Sequence, residues 1–251
     1  MRPDEVSIPL CKRFERPLSV KVAHHLLQGR VNILQTIVFD FDYTLTPWDS
    51  SERFFRWLLK RSPWRMVLVM ASIPFLAPFL LGKYTRNLPV KFAVWTATLG
   101  RSEDGVRALV KEHVAEIVAR QQPLMLQDAI LQLNHHLAQG HRVVVATGSL
   151  EALARELLDQ SGLAHIPLVG SSLKPFLRGM VAHEHCYGPR KISMLTQRGY
   201  PPPWVATYTD HECDLPVMRE SVACFLVNPR PKAVRIIADE LSFTPEVLSW
   251  R

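Results

Sequence analysis

A chain of 251 residues, 47% hydrophobic and 21% charged, can bury a sizeable core, and its composition excludes a disordered, collagenous or disulfide-stapled protein. Its net charge of +7 is concentrated: residues 53–102 hold nine basic side chains and no acidic one, while the other 21 basic residues face all 23 acidic ones. That segment asks for an anionic partner; nucleic acid is not expected, because no nucleic-acid module or basic–aromatic interleaving accompanies it. The four cysteines (Cys11, Cys186, Cys213, Cys224) form no C-x-x-C pair, so free thiols in a reducing cytoplasm are expected. No apolar stretch follows a basic start, so no secretory signal is expected either.

Residues 1–31 read as an N-terminal extension with a short helix at Val20–Leu27 and no assigned chemistry. The β-branched and aromatic run Leu34–Phe39 predicts a buried parallel strand. It ends in Asp40-Phe41-Asp42-Tyr43-Thr44, which puts two carboxylates at or just past the strand's C-terminal end, where open α/β sheets bind ligands. Carboxylates so crowded need a cation or a proton between them, and a hard divalent ion such as magnesium accepts such oxygens together with substrate phosphate. A carboxylate is also a competent covalent nucleophile.

From Trp48 to Gln139 the pattern is helical, with amphipathic pieces at Ser51–Lys60, Ser102–Arg120 and Leu124–Ala138 and a helix C-cap at Gly140. Inside it Met66–Leu81 is a charge-free run of sixteen residues. A spanning helix needs about 20 such residues, and Pro74 and Pro78 would interrupt this one. The run is therefore either a buried hairpin or a segment dipping into one leaflet. Lys60, Arg61 and Arg65 before it and Lys83, Arg86 and Lys91 after it would favour anionic headgroups.

Arg142–Ala146 predicts a second buried strand, followed by Thr147-Gly148-Ser149 at the start of a helix over Leu150–Gln160. That tripeptide is either an anion site or an ordinary N-cap. A third strand is expected at Ile166–Gly170, a hairpin outside the main sheet at Ser172–His183, and a helix over Arg190–Arg198. Lys191 lies in the first turn of that helix, against its dipole, which makes sense if the ammonium faces an anion; otherwise it is a solvated lysine. Strands at Trp204–Thr209 and Ala223–Val227 enclose a short helix, and another follows at Pro231–Leu241. Asp210 falls at the end of the fourth strand and Asp214 at the start of the next helix, a second carboxylate pair. A zinc site from His211, Cys213, His183, His185 and Cys186 is the alternative, but those spacings fit no common zinc pattern. Alternating strands and helices imply a parallel sheet, and the connection between the first two strands is far longer than a crossover needs.

In this order, D-x-D-x-T, strand-Thr-Gly-Ser, Lys191 and Asp210-x-x-x-Asp214 resemble the haloacid dehalogenase superfamily from about Leu34 to Glu240. The resemblance is greatest to the subgroup with a helical cap between the first two motifs, which includes phosphoserine phosphatases and phosphatidylglycerophosphatase C. It implies an α/β fold: a Rossmann-like parallel sheet core (32–47 and 140–251) with an inserted all-helical cap domain (48–139). It also implies a magnesium-dependent phosphatase in which Asp40 is the nucleophile and Asp42 the general acid–base. Thr147, Gly148 and Lys191 would bind phosphate, and Asp40, Asp42 and Asp210 the metal, with Asp214 in support. Tyr43 stands where the family usually has glycine, and Thr209 and His211 replace small residues around Asp210. The expected substrate is a lipid or other membrane-proximal phosphomonoester, with the protein cytoplasmic and peripheral or monotopic at the inner membrane. A soluble phosphatase for a small metabolite such as phosphoserine, or a non-catalytic phosphate-binding protein, are the alternatives.

Overall fold

The computed structural model describes residues 35–81, 88–241 and 243–251, so the extension, the helix expected at Val20–Leu27, Leu34 and Cys11 lie outside the described residues. Strand β1 (Thr36–Phe39) is buried at every position, as a strand covered on both faces must be. It pairs in parallel with β2 (Arg142–Leu150) on one side and with β6 (Trp204–Thr209) on the other. Strands β3 (Leu168–Ser171), β7 (Ser221–Val227) and β8 (Glu246–Leu248) complete a parallel sheet in the order β3-β2-β1-β6-β7-β8. The chain winds outward from β1 through β2 to β3, then restarts at β6 on the other side. The boundary between β1 and β6 is thus the point where the winding direction reverses, and a crevice opens there at the carboxyl ends of the strands.

Aromatic stacking fixes this boundary. Phe39 lies flat on Tyr208 at 4.4 Å, and Tyr208 stacks on Phe225 at 4.5 Å. Helices cover both sheet faces: α6 (Glu151–Gln160), α7 (Pro189–Gln197), α8 (Leu215–Arg219) and α9 (Pro231–Glu240) lie among the later strands. The β1-to-β2 connection carries five more: α1 (Ser50–Lys60), α2 (Pro63–Leu76), α3 (Leu88–Thr98), α4 (Glu103–Ala119) and α5 (Gln127–Ala138). Asp49 caps α1 by accepting from the Glu52 N–H at 2.7 Å, and Ser102 caps α4 by accepting from Gly105 at 3.1 Å. Each satisfies a donor the helix start leaves open.

Three local outcomes differ from the sequence pattern. Strand β2 runs past Ala146 to Leu150, with an irregularity between the pairs Ala146–Val169 and Leu150–Ser171. Thr147-Gly148-Ser149 is therefore an extended bulge and not a helix cap. Strand β3 starts at Leu168 rather than Ile166, because Ile166 closes a turn onto Leu163 at 3.0 Å. The edge strand β8 has no counterpart in the sequence reading; three residues carry too little alternation to register.

The charge-free run is not buried. It forms α2 and a following 3-10 turn at Ala77–Leu81. Arg65, Val69, Ser72 and Leu76, at helical spacing, face inward, and the Arg65 guanidinium donates to the carbonyls of Ala97 (3.1 Å) and Leu99 (2.5 Å) at the end of α3. Val67 is 66% exposed and Phe75 76%. Among the described residues no single helix is long and apolar enough to cross a membrane.

The hairpin outside the sheet is present as antiparallel β4 (Leu173–Phe176) and β5 (Gly179–Ala182). It rests on α3: the Trp95 indole donates to Phe176 and Leu177 carbonyls, and the Met180 N–H donates to the Thr98 hydroxyl at 2.9 Å. A Cβ at Gly179 would stand 2.8 Å from the Trp95 ring. Gly179→Ala should therefore destabilise the fold by about 1–3 kcal/mol, measured by urea unfolding; an unchanged midpoint would mean that α3 and the hairpin are not packed in this way.

His113 of α4 is buried between Phe54 and Trp57, and among the described residues neither ring nitrogen has a hydrogen-bond partner. Burial, with the nearby Arg53 charge, pushes its pKa down to about 4. The unfolded imidazole takes a proton near pH 6.5, so the stability tied to the neutral ring is present above that pH and lost as pH falls towards 4. His113→Leu should raise stability at neutral pH by about 1 kcal/mol and flatten the loss between pH 6.5 and 4. Urea midpoints across that range check both, and a destabilised variant with wild-type acid sensitivity would contradict the assignment.

Candidate active site

The carboxyl ends of β1, β2 and β6 bring Asp40, Thr147 and Asp210 to one edge of the sheet. The Asp40 N–H donates to the Tyr208 carbonyl at 2.9 Å, extending the β1–β6 ladder by one residue and fixing where the carboxylate leaves the sheet. The first turn of α7 delivers Lys191, which is only 2% exposed. Its ammonium donates to Asp40 Oδ1 at 3.0 Å and to Asp214 Oδ2 at 2.8 Å. A cation at a helix N-terminus opposes the dipole, and here two carboxylates compensate it. The solvated-lysine alternative is excluded. Gly188, which caps α7 at φ +56°, supplies the left-handed turn that aims the helix start at the sheet.

Thr209, buried at the end of β6, donates its hydroxyl to Asp214 Oδ2 at 2.8 Å. The departure from a small residue at this position thus supplies a further anchor for the carboxylate that holds Lys191. His211 turns back on its own loop, its Nδ1 accepting from the Cys213 N–H at 3.1 Å. Asp42 is held from two sides. Its Oδ1 accepts from the Ser50 N–H at 2.9 Å, at the start of α1, and its other oxygen accepts from the Ser149 hydroxyl. Thr147 Oγ1 accepts from the Ser149 N–H at 3.0 Å, which leaves its own proton available. A Cβ at Gly148 would meet Tyr187, Cys186 and His185 only at ordinary distances of 3.7–3.9 Å, so protein packing does not demand glycine there.

Four acids gather around one cation, and the electrostatics record the imbalance. Burial pushes the Asp40 carboxyl up to about 8; Lys191 opposes this, and Asp214 and Asp210 reinforce it. Asp210 is pushed up to about 7 by burial and by Asp214, and Asp42 to about 6 by burial and by Asp49. For Lys191, burial alone lowers the pKa, but Asp214 and Asp40 more than reverse it and keep the side chain charged. Carboxyls raised together in this way mark a site short of positive charge. The donors are all oxygen, which fits a hard divalent ion and not a soft one.

The zinc alternative finds no such cluster. His183 and His185 are exposed, and Cys186 is buried with its thiol pushed up to about 12, the reverse of a metal-binding thiolate. Among the described residues no three His, Cys, Asp or Glu side chains are grouped to hold an ion by themselves.

These residues line a cavity of about 790 Å³ that contains Asp40, Asp42, Thr147, Gly148, Lys191 and Asp210. Its floor is polar, and its opposite wall, from α1, α2 and α3, presents Phe55, Leu59, Met66, Val90 and Val94. Tyr43 sits at the rim with φ +56°, the conformation that explains why glycine suits this position, and its ring lies 6.0 Å from the Arg230 guanidinium. The sequence reading missed Ser50, the bond from Ser149 to Asp42 and the apolar wall. Ser50 acts through its main chain, which no side-chain motif records, and the wall is assembled from three helices.

A family model described as haloacid dehalogenase-like hydrolase matches residues 37–219. The fold is shared with several solved structures of low sequence identity. A protein of unknown function from Bordetella pertussis Tohama I is 16% identical, with a TM-score of 0.61 over 85% of this chain and 97% of its own. Cytosolic 5'-nucleotidase IIIB, solved with cytidine, is 12% identical, with a TM-score of 0.53 over 91% of this chain and 84% of that one. A phosphoserine phosphatase solved as a phospho-aspartyl intermediate analogue is also 12% identical, with a TM-score of 0.50 over 84% and 93%. The match to the family model spans most of the described sheet and every residue of the acidic cluster, and the chain belongs to the haloacid dehalogenase-like hydrolase family.

Proposed function

We propose that this protein is a magnesium-dependent phosphomonoester hydrolase working through an aspartyl-phosphate, with a lipid-type, phosphatidylglycerophosphate-like phosphate as its substrate. The observation that carries the reading is Lys191 held between Asp40 and Asp214 at the floor of the cavity, so that the nucleophile already faces a fixed cation. An Asp40 oxygen attacks phosphorus in line while the bond from phosphorus to the substrate alcohol breaks. Asp42, kept partly protonated by its burial, gives its proton to that alcohol. Water then attacks the phosphoryl group, Asp42 takes the water's proton, and the bond to Asp40 breaks to release phosphate.

Lys191 and the free Thr147 hydroxyl proton, with the open backbone at Gly148, suit the phosphoryl oxygens. Asp40, Asp210 and the Asp42 main-chain carbonyl would hold magnesium, with Asp214 in support through its hold on Lys191. The ion, when bound, supplies the charge that lets an anionic nucleophile approach an anionic phosphate. The substrate class rests on the cavity's asymmetry: a phosphate on the polar floor places the rest of the molecule against Phe55, Leu59, Met66, Val90 and Val94. A small zwitterion such as phosphoserine would leave that wall uncovered. The fold shared with a phosphoserine phosphatase agrees with the reaction class.

Asp40→Asn should abolish turnover and aspartyl-phosphate labelling while leaving the unfolding midpoint near wild type. Residual activity within about tenfold of wild type would remove Asp40 as the nucleophile, since a covalent route cannot survive that loss.

Asp210→Asn should raise the magnesium concentration needed for half-maximal activity. Chelator-treated enzyme should recover with magnesium; recovery with zinc alone would transfer the metal to a nitrogen–sulfur site.

A further inference from the structure

The segment 63–79 shows solvent an apolar surface that its own fold does not cover. Only Arg65 is buried in it, and the half-buried positions Met66, Val69, Ser72 and Leu76 form a narrow inward stripe. Trp64, Val67, Met70, Ile73 and Phe75 point outward, each about half exposed or more. A helix apolar around most of its circumference belongs in an apolar surrounding, and so large a contiguous patch marks an interaction site. At 14 residues α2 is too short to span a bilayer, and its continuation bends into a 3-10 turn. An exposed apolar element too short to span still needs an apolar surrounding to cover it.

Charge decides what covers it. No acidic residue occurs between Arg53 and Ser102. Arg61 is paired with Glu112 and Glu116 of α4, and Arg56 with Glu52. Lys60 and Lys91, at the ends of this helical group, are exposed and have no acidic partner among the described residues. A second copy of the chain would bring the same uncompensated charges against themselves, whereas an anionic headgroup layer neutralises them. The surface also joins the catalytic cavity. Val90, 62% exposed, and Met66, next to the outward-facing Val67, both line it.

We propose that segment 63–79 seats the protein in the headgroup–acyl boundary of an anionic bilayer, where the cavity mouth at Val90 and Met66 receives the phosphate of a lipid whose tail stays against the apolar wall. The substrate part of this assignment rests on the phosphatase reading above; the seating does not. The membrane contact is reversible, because it combines a short apolar face with a few cations and not a spanning helix.

The test is co-sedimentation of the full chain with phosphatidylcholine vesicles, with and without about 30 mol% phosphatidylglycerol, at low and high salt. It is run for wild type and for the double variant Val67→Glu/Phe75→Glu, neither position lining the cavity. Wild type should sediment with the anionic vesicles and be partly released by salt. The variant should lose at least about tenfold in binding while hydrolysing soluble p-nitrophenyl phosphate at the wild-type rate. Equal recovery in the supernatant with both vesicle types, or variant binding equal to wild type, would overturn the seating. So would a dimer in size-exclusion chromatography that the variant dissociates without changing vesicle binding, since the face would then belong to a second copy. Vesicle binding by a wild-type protein that hydrolyses no phosphomonoester would overturn the phosphatase reading and leave the seating in place.

Discussion

A buried ammonium held between two carboxylates sets the terms for the rest of this molecule. Lys191 is almost entirely buried, so Asp40 and Asp214 must stay within reach, and each of them is in turn fixed by the sheet. The 2.9 Å main-chain bond from Asp40 to Tyr208 ties one carboxylate to the β1–β6 boundary, and the Thr209 hydroxyl ties the other to the end of β6. The start of α7 then has one place to go. Because the ammonium is shared, loss of charge at Asp40 still leaves it paired with Asp214; only removing both acids would strand a buried charge.

One ammonium does not balance four acids, and this deficit is the chemical character of the site. The raised pKa values of Asp40, Asp42 and Asp210 are the same statement in titration terms. Such a pocket attracts a cation and repels a free phosphate, so in the proposed reaction the ion is what would let the phosphate approach. The opposite wall of the cavity is mainly apolar, and the charges it carries on α1, Glu52 and Arg56, are paired with each other. Asp42 stands between the two regimes, held by the start of the helical insertion through Ser50 and by the sheet through Ser149.

Much of this was legible in the chain. The candidate site residues lie at strand and helix ends, where short runs such as Ile37-Val38-Phe39 stop and a charged residue follows, and the order of those stops carries the family resemblance. Lys191 was ambiguous for a physical reason: a basic residue in a first helical turn looks like a surface residue until the acids facing it are known. The bulge at residues 147–149 was hidden because Thr-Gly-Ser satisfies the rules for a helix cap as well as for an irregular strand end. Exposure of residues 63–79 could not be read at all, since an apolar run has the same letters whether it is inside or outside. The strand β8 is too short, and Glu246 too polar, to announce itself.

The contact between β5 and α3 divides the molecule differently from the order of the chain. With Gly179 leaving no gap against Trp95 and Met180 bonded to Thr98, the hairpin and the helix behave as one rigid body, although some eighty residues and β2 separate them in sequence. Any swing of α3 away from the sheet must carry the hairpin along. The flexing joints then include the hairpin's base, where Ser172 exchanges bonds with His183 and Glu184, in addition to the two ends of the helical insertion. A motion hinged on several separated strands of chain is constrained to few directions, so the mouth beside Val90 would open as a narrow slot and not as a free flap.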